Sequence, residues 1–276
     1  MKRLPIGIED FKELIDKDCY YVDKTSFITD IINEKVALYT RPRRYGKTLN
    51  MSMLYYFFSM KQKDNAYLFN DMDIVNHTDS LQYQNQYPVI FITLKDMKKH
   101  TFENQKAMFA ILIQDIVRKN QELLESEELN TFDKEQLIAY YRRTQSDVDL
   151  QNALKFLCGC LKQHYHKDVI LLIDEYDVPL QSAYLKGYYD EMADFLSGMF
   201  SAALKTNDAL EKGILTGCLR IAKESIFTGL NNFSVYSISE DQSSTSFGFT
   251  PKETITLLEH YDLKSYEQTI KEWYDG

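Results

Sequence analysis

Five short apolar runs recur along the chain, and longer stretches with helical spacing separate them. Runs of about four to eight residues that are apolar at nearly every position are typical of strands buried on both faces. Such strands form parallel sheets in layered α/β domains, so the pattern predicts this fold class. The runs are KVALYT, PVIFITL (Pro88–Leu94), VILLID (Val169–Asp174), GILTG (Gly213–Gly217) and FSVYSI (Phe233–Ile238).

The stretches between the runs predict helices. Asp23 is expected to cap a helix through KTSFITDIINE, and Asp147 is expected to cap DLQNALKFLCGCLKQHY. A long helix is predicted from about Phe102 to Glu125. Further helices are expected in KTLNMSMLYYFFSMK, YYDEMADFLSGMFSAALKTN and, over a shorter length, near IAKESIFTGL.

The last segment differs from the rest because it contains no strand candidate. Thr250-Pro251-Lys252-Glu253 is a capping box with proline at the first helical position, and a second helical stretch, KSYEQTIKEWY, follows. We therefore expect a core over residues 1–240 and a small helical appendage over residues 248–276. Because the chain stops at WYDG without a closing element, we expect a truncated appendage and a fragment of a longer protein.

Composition narrows the function classes. The chain has 276 residues, enough for a sizeable core in one large or two small domains. Its net charge of −9 argues against a broad nucleic-acid-binding surface and is more simply interpreted as solubility. Because no apolar run has the length of a signal peptide or a membrane span, we expect a cytoplasmic protein.

The cysteines are interpreted as buried side chains without a disulfide or metal role. Four cysteines are too few and too scattered for a disulfide framework in a chain of this length. Cys158 and Cys160 form a close pair, but the second pair that a zinc site requires is absent. We therefore interpret both as small buried residues of a helix.

The stretch YTRPRRYGKTLN ends like a phosphate-binding loop but begins unlike one. Gly46, Lys47 and Thr48 match the end of the GxxxxGK(S/T) pattern, whereas Arg41 holds the position of its first glycine. Such a loop works because successive backbone N–H groups at a helix N-terminus converge on anionic oxygens. The alternative interpretation of the stretch is a solvated basic turn.

The context of this loop favours phosphate binding. A buried run precedes it, a helix follows, Lys47 is available for the phosphates and Thr48 supplies a hydroxyl for magnesium. Its anion-facing half, about Arg44 to Thr48, keeps its N–H groups. The first residues of the loop differ from the pattern: Arg41 lacks the conformational freedom of glycine, and Pro42 has no N–H group to donate.

A second motif, VILLIDEYD, supplies the acidic residues that a P-loop ATPase needs. Asp174 at the strand end is expected to hold the hydration shell of magnesium, and Glu175 to polarise the attacking water. The alternative is a buried strand with two exposed acids at its tip. Both motifs follow predicted parallel strands, at the sheet edge where open α/β sheets bind ligands, and this agreement favours nucleotide binding.

Several segments together resemble the AAA-ATPase-like family of bacterial proteins. They are LPIGIEDFKELIDKDCYYVDKT, RPRRYGKTLNMSML, LLIDEYDVPL, GILTGCLRIAKESIFTGLNN and WYDG, which together cover nearly the whole chain. The Arg-Pro-Arg-Arg start of the loop is itself a mark of that family.

The resemblance implies a three-layer P-loop NTPase core with a parallel five-stranded sheet of the additional-strand type. It also implies a C-terminal helical lid and the ligands ATP and Mg²⁺. Family members often continue past WYDG into a PD-(D/E)XK nuclease-like domain, which this sequence does not contain.

Two further residues follow the fourth run. In ATPases of this general class a polar residue on that strand lies beside the γ-phosphate, and Thr216 is the candidate. A strand-end hydroxyl with a backbone partner is an equal alternative. Arg220 is a candidate for neutralising transition-state charge, against the alternative of a surface salt bridge.

The remaining candidates surround the loop. Arg43 and Arg44 contact phosphates, or they serve a neighbouring subunit or partner; the first is favoured because cations are useful beside a triphosphate. Tyr21 or Val22 covers the base, with a structural staple for the following helix as the equal alternative. The candidate nucleotide-binding residues are Arg43, Arg44, Tyr45, Gly46, Lys47, Thr48, Leu49, Tyr21 and Val22, with Glu175, Lys47, Arg220 and Thr216 as catalytic candidates.

These residues support more than one function. The first hypothesis is a Mg²⁺-dependent ATPase with Thr48 and Asp174 on the metal. The second is a nucleotide-binding switch with little or no turnover that regulates a fused or partner nuclease. An interaction module with a vestigial site and a kinase are weaker. Binding to a protein partner or to further copies of the chain, as a homo-oligomer, is left open by the sequence. Nucleic-acid binding is expected only through a missing C-terminal domain or a partner.

Overall fold

The five apolar runs form one parallel sheet in the computed structural model, which describes residues 1–219, 226–227, 233–238, 240 and 242–274. All neighbouring strands pair in parallel, in the order β2-β3-β4-β1-β5, so the predicted five-stranded parallel sheet is confirmed. In this order β4 lies between β1 and β3. The strands are β1 (Val36–Thr40), β2 (Val89–Thr93), β3 (Val169–Asp174), β4 (Leu210–Gly217) and β5 (Ser234–Tyr236).

Helices cover both faces of the sheet. The described helices are α1 (Phe11–Asp16), α2 (Phe27–Ile32), α3 (Lys47–Phe58), α4 (Thr78–Leu81), α5 (Phe102–Lys119), α6 (Thr131–Arg142), α7 (Asp147–Tyr165), α8 (Val178–Lys186), α9 (Tyr189–Phe200), α10 (Pro251–His260) and α11 (Glu267–Tyr274). Alternate residues of β1 enter two separate cores: Leu38 packs with α5 to α9, and Tyr39 packs with α1 to α3. The central strands are therefore buried on both faces, which explains why their sequences are almost uniformly apolar.

Short helical segments link these elements. They are the 3₁₀ segments Met60–Phe69, Asp73–Asn76, Gln121–Glu125 and Lys264–Tyr266, and the π-helical turn Ser201–Lys205. The predicted helix from Phe102 to Glu125 is too long, because Asn120 leaves helical conformation with φ −129° and ψ 43°. No described helix is both long and apolar enough to cross a membrane.

Two of the predicted helix caps are wrong. Asp23 accepts hydrogen bonds from the backbone N–H and hydroxyl of Thr25, and α2 begins only after Ser26. At α7 the cap is Ser146, whose hydroxyl accepts from the N–H of Asp149 while the Asp149 carboxylate accepts from the N–H of Ser146. At α7 the neighbouring serine offers the same cap chemistry as the predicted aspartate, so the spacing alone could not choose between them. At α2 the N-cap residue, Ser26, makes no side-chain cap hydrogen bond.

The cysteine pair lies in the core, as predicted. Cys158 and Cys160 are both buried on α7. Burial raises the pKa of each thiol to about 12, so both stay protonated at neutral pH.

The C-terminal helices dock on the N-terminal segment through a buried lysine. The predicted capping box at Thr250 and Glu253 is present at the start of α10. The Lys24 ammonium donates to the Glu253 carboxylate at 2.6 Å and to the Thr245 carbonyl at 2.6 Å. Because the Lys24 side chain is only 9% exposed, this ion pair is shielded from water far better than a surface pair.

We expect Lys24→Met to destabilise the protein. The substitution keeps an apolar stem but removes the ammonium that serves the Glu253 carboxylate and the Thr245 carbonyl, at a cost of about 1–3 kcal/mol. Denaturant unfolding measures the change.

Lys162→Met is the matched control for this prediction. Lys162 also joins a carboxylate, Asp168 at 2.7 Å, to a backbone carbonyl, that of Asp208 at 2.7 Å, but its side chain is 42% exposed. Its loss should cost less. Equal losses in the two variants would contradict the argument from burial.

Candidate functional site

The turn between β1 and α3 presents unused backbone donors. Arg44 and Gly46 have positive φ values, 69° and 76°, so the chain reverses just before α3 begins at Lys47. Among the hydrogen bonds of the described residues, none is donated by a backbone N–H of residues 43–48 to a protein acceptor. These N–H groups lie at the N-terminus of a 12-residue helix, a favourable place for an anion.

Lys47 bridges the two ends of this loop. Its ammonium is buried and donates to the carbonyl of Arg41 at 3.0 Å and to that of Pro42 at 2.8 Å. It also lies 3.4 Å from the Cys218 sulfur. The start of the loop therefore contributes carbonyl acceptors, which arginine and proline supply as well as glycine does.

Arg41 has a role that the sequence did not indicate. Its side chain is 2% exposed, and its guanidinium donates to the carbonyls of Thr40, Tyr236 and Ser243. The guanidinium carbon also lies 4.9 Å from the centre of the Phe247 ring. The residue in place of the first glycine thus joins the end of β1 to β5 and to the segment that leads into α10.

Asp174 joins three elements at the end of β3. The carboxylate is fully buried and accepts from the Thr48 hydroxyl at 2.7 Å and from the Thr216 hydroxyl. Burial raises the pKa of Asp174, against the opposing effects of the two hydroxyls and the Lys47 charge. Two predicted site residues, Thr48 on α3 and Asp174, are therefore in direct contact, and Thr216 acts on the carboxylate rather than on the backbone.

Glu175 follows in a strained conformation. Its φ of 54° is uncommon for a residue with a side chain. This conformation turns the chain away from β3, and Glu175 is half-buried next to the fully buried Asp174. Burial, and after it the charge of Asp174, raises the pKa of Glu175.

A cleft opens beside the loop, between the N-terminal segment and the C-terminal helices. Six of the predicted nucleotide-binding residues line it: Tyr21, Val22, Arg44, Tyr45, Gly46 and Leu49. Ser246, Gly248, Phe249 and Leu257 close its other side. Arg43 is exposed and does not line the cleft, and Arg220 lies outside the described residues.

Further side chains support the loop from the C-terminal side. The buried Asn50 amide donates to the Ser246 carbonyl at 2.8 Å, and the Gly248 N–H donates to the Tyr45 carbonyl at 3.0 Å. A Cβ on Gly248 would lie 2.9 Å from the Tyr45 ring, so this contact depends on glycine. No spacing in the sequence indicated these contacts, because their partners lie about 200 positions away.

Sequence comparison assigns the chain to a family. The profile of a family described as predicted AAA-ATPase matches residues 5–227, more than half of the chain. The chain belongs to this family. An uncharacterized protein in the vnfD 5' region of Azotobacter chroococcum mcd 1 is 27% identical to it over 284 residues. That match covers the whole chain and 48% of the relative, so the chain spans about half the relative's length. No solved structure matches the chain significantly.

We expect Asp174→Asn to raise the stability of the nucleotide-free protein. A raised carboxyl pKa means that the folded state loses stability as the pH rises from 3.8 through the raised value, and asparagine lacks this loss. Both threonine hydroxyls can reorient to serve an amide. Thermal unfolding at neutral pH should show a Tm higher by about 2–4 °C, equivalent to about 1 kcal/mol at this chain length.

Asp174→Ala is the control, since it leaves two buried hydroxyls unpaired and a small cavity, and it should lower Tm. If the asparagine variant lost as much Tm as the alanine variant, the charge of Asp174 would not be the destabilising feature.

Proposed function

We propose that this protein binds ATP with Mg²⁺ and hydrolyses it. The observation that carries the proposal is the hydrogen bond between Thr48 and Asp174, directly beside a loop whose N–H groups point to no protein acceptor. Membership of a family of predicted ATPases supports it. So does the position of β4 between β1 and β3, which agrees with a sheet of the additional-strand type.

The donor set suits Mg²⁺. This ion prefers oxygen ligands and is usually held by one or two carboxylates together with substrate phosphates. Thr48 and Asp174 offer a hydroxyl and a carboxylate 2.7 Å apart, and both lie beside the phosphate-binding loop. When bound, Mg²⁺ would neutralise charge on the phosphate oxygens.

Each remaining residue takes a role that its position permits. Lys47 would exchange its two carbonyl partners for phosphate oxygens, and the N–H groups of residues 43–48 would hold the same phosphates. Glu175 would take a proton from the attacking water, and a raised pKa strengthens it as a base. Thr216 would fix the Asp174 carboxylate. Arg220 keeps its proposed role in neutralising transition-state charge.

The cleft would hold the nucleoside. Tyr21, Val22 and Leu49 supply aromatic and apolar surface for a base, and Arg44 lies at the phosphate side. Phe249 and Leu257 would close over it, which fits a division into a core of residues 1–240 and a helical lid of residues 248–276. Arg43, which is exposed outside the cleft, would serve the outer phosphate or a neighbouring molecule.

A nucleotide-binding switch is the second candidate. Asn50 and Tyr45 both form hydrogen bonds with the segment that precedes α10. A ligand in the cleft would therefore change the position of the C-terminal helices even if it were not hydrolysed. The output would then be the position of these helices towards a protein partner or a second copy of the chain. Hydrolysis measurements separate this candidate from the first.

Lys47→Ala should weaken ATP binding by about 10- to 100-fold, because it removes charge-assisted hydrogen bonds to the phosphates. Isothermal titration with MgATP measures this change. Lys63→Ala removes an exposed lysine elsewhere and should leave the Kd as it is in the wild type. A Lys47→Ala protein that bound ATP as tightly as the wild type would refute the assignment of the site.

Glu175→Gln should slow single-turnover hydrolysis by about 10²–10⁴-fold while MgATP binding stays unchanged, because only the proton acceptor is lost. In the wild type the rate should fall as the pH drops through the raised pKa of Glu175, since a protonated carboxyl cannot accept the proton.

Rapid mixing with radiolabelled ATP measures phosphate release in both proteins. If the wild type released phosphate no faster than Glu175→Gln, the hydrolase proposal would fail and the switch would remain.

A further inference from the structure

The tips of β3 and β4 are joined beyond the last rung of the strand ladder. The Tyr176 N–H donates to the Thr216 carbonyl at 3.1 Å, and the Tyr176 hydroxyl donates to the Leu219 carbonyl at 2.6 Å. One oxygen of the Asp177 carboxylate accepts from the backbone N–H of Cys218 at 3.1 Å and from that of Leu219 at 2.9 Å. Residues 218–219 are therefore held by the two residues that follow Glu175.

Asp177 does not cap the first turn of the helix that it precedes, although the oxygen that accepts from residues 218–219 also accepts from the Gln181 side chain of α8 at 2.6 Å. It lies at the N-cap position of α8, where an aspartate usually accepts from the first turn, yet its side chain makes no cap hydrogen bond. The carboxylate is fully buried, and its other oxygen has no hydrogen-bond partner among the described residues. Burying a charge with one oxygen unsatisfied costs free energy, so helix capping does not account for this residue.

Gly217 permits the contact between the two tips. A Cβ at this position would lie 2.5 Å from the Tyr176 ring and 2.7 Å from the unpaired oxygen of Asp177. Its φ is not in the left-handed region, so space is the requirement that only glycine meets here. The contact therefore depends on Gly217 at the end of β4 as well as on Tyr176 and Asp177 after β3.

The held segment faces the candidate site. The Cys218 sulfur lies 3.4 Å from the Lys47 ammonium, and Thr216 on the same strand contacts Asp174. Arg220 is joined directly to Leu219 in the sequence. A shift of residues 218–219 would therefore move the wall of the site that touches Lys47.

We propose that Asp177 is a positioning residue for the proposed ATP hydrolysis, and that it acts by fixing residues 218–219 against Lys47. The inference rests on the proposed function, since it assigns Asp177 to that reaction. Tyr176 and Gly217 contribute to the same contact: the Tyr176 hydroxyl donates a third hydrogen bond to residues 218–219, and Gly217 leaves room for the close approach.

Asp177→Asn tests the proposal because it keeps the size of the side chain and removes its charge. The expected result is a kcat lower by about 10- to 100-fold with MgATP affinity unchanged, since the hydrogen bonds that hold residues 218–219 are weakened when their acceptor loses its charge, while no group assigned to the phosphates is removed. Gly217→Ala should reproduce this result from the other strand. Because both substitutions disturb one contact, the double variant should lose less than the product of the two single losses.

A second measurement does not depend on hydrolysis. Cys218 is partly exposed, whereas Cys19, Cys158 and Cys160 are buried, so iodoacetamide should label Cys218 first. In Asp177→Asn the released segment should be labelled several-fold faster, as measured by peptide mass spectrometry. If Asp177→Asn does not fold, Tyr176→Phe replaces it in both measurements, with smaller changes in the same directions.

Asp149→Asn is the matched control. Asp149 is also a carboxylate that accepts a backbone N–H, but it belongs to the capping box that starts at Ser146 and takes no part in the candidate site. It should lower stability and leave kcat and Cys218 labelling as in the wild type. Wild-type kcat or wild-type labelling in Asp177→Asn would overturn the proposal. A wild type that binds but does not hydrolyse ATP would instead refute the proposed function, and labelling would still show whether Asp177 holds the segment.

Discussion

A buried carboxylate governs the arrangement of this site. Asp174 is fully buried, and the two hydroxyls that satisfy it come from different elements: Thr48 from the start of α3, and Thr216 from β4. An unpaired charge in this place would be strongly destabilising, so the loop, β3 and β4 must keep a fixed relation. The strand order makes this possible, because β4 pairs with both β3 and β1 and brings Thr216 next to Asp174.

The loop start is bound to the rest of the fold by a second buried charge. Burial lowers the pKa of Arg41, but its guanidinium is satisfied by carbonyls of β1, β5 and the segment before α10. The backbone carbonyl of the same residue accepts from Lys47. A glycine would give the loop conformational freedom, whereas arginine fixes the loop and ties it to the C-terminal part of the chain. A movement of Lys47 would therefore disturb Arg41, whose guanidinium contacts β5 and the segment before α10.

The sequence predicted the strands and one helix cap from local pattern, chose the wrong residue at two other caps, and missed what depends on distant partners. Uniformly apolar runs predicted the strands, and Thr250 with Glu253 predicted a cap, because both signals lie within a few residues. The sequence placed Thr48 and Asp174 at the same edge of the sheet, because each lies in a motif that follows a predicted strand, and the structure shows them in direct contact. The buried role of Arg41 could not follow, since its partners Tyr236 and Ser243 lie 195 and 202 positions away. Asp177 was missed because its place before α8 resembles an ordinary cap.

The charges at the end of β3 explain why the proposed ligand would bind as its magnesium complex. Asp174, Glu175 and Asp177 place three carboxylates within four residues, and burial raises the pKa of the first two. The Lys47 charge opposes the rise in the pKa of Asp174 and of Glu175, and the Lys98 charge also acts on Glu175, but the Lys47 ammonium is already shared with two carbonyls. A free triphosphate would add further negative charge to this cluster, which Coulomb repulsion opposes. A triphosphate that carries Mg²⁺ brings compensating positive charge to the oxygens of Thr48 and Asp174, so the same acids that would repel the free nucleotide favour its magnesium complex.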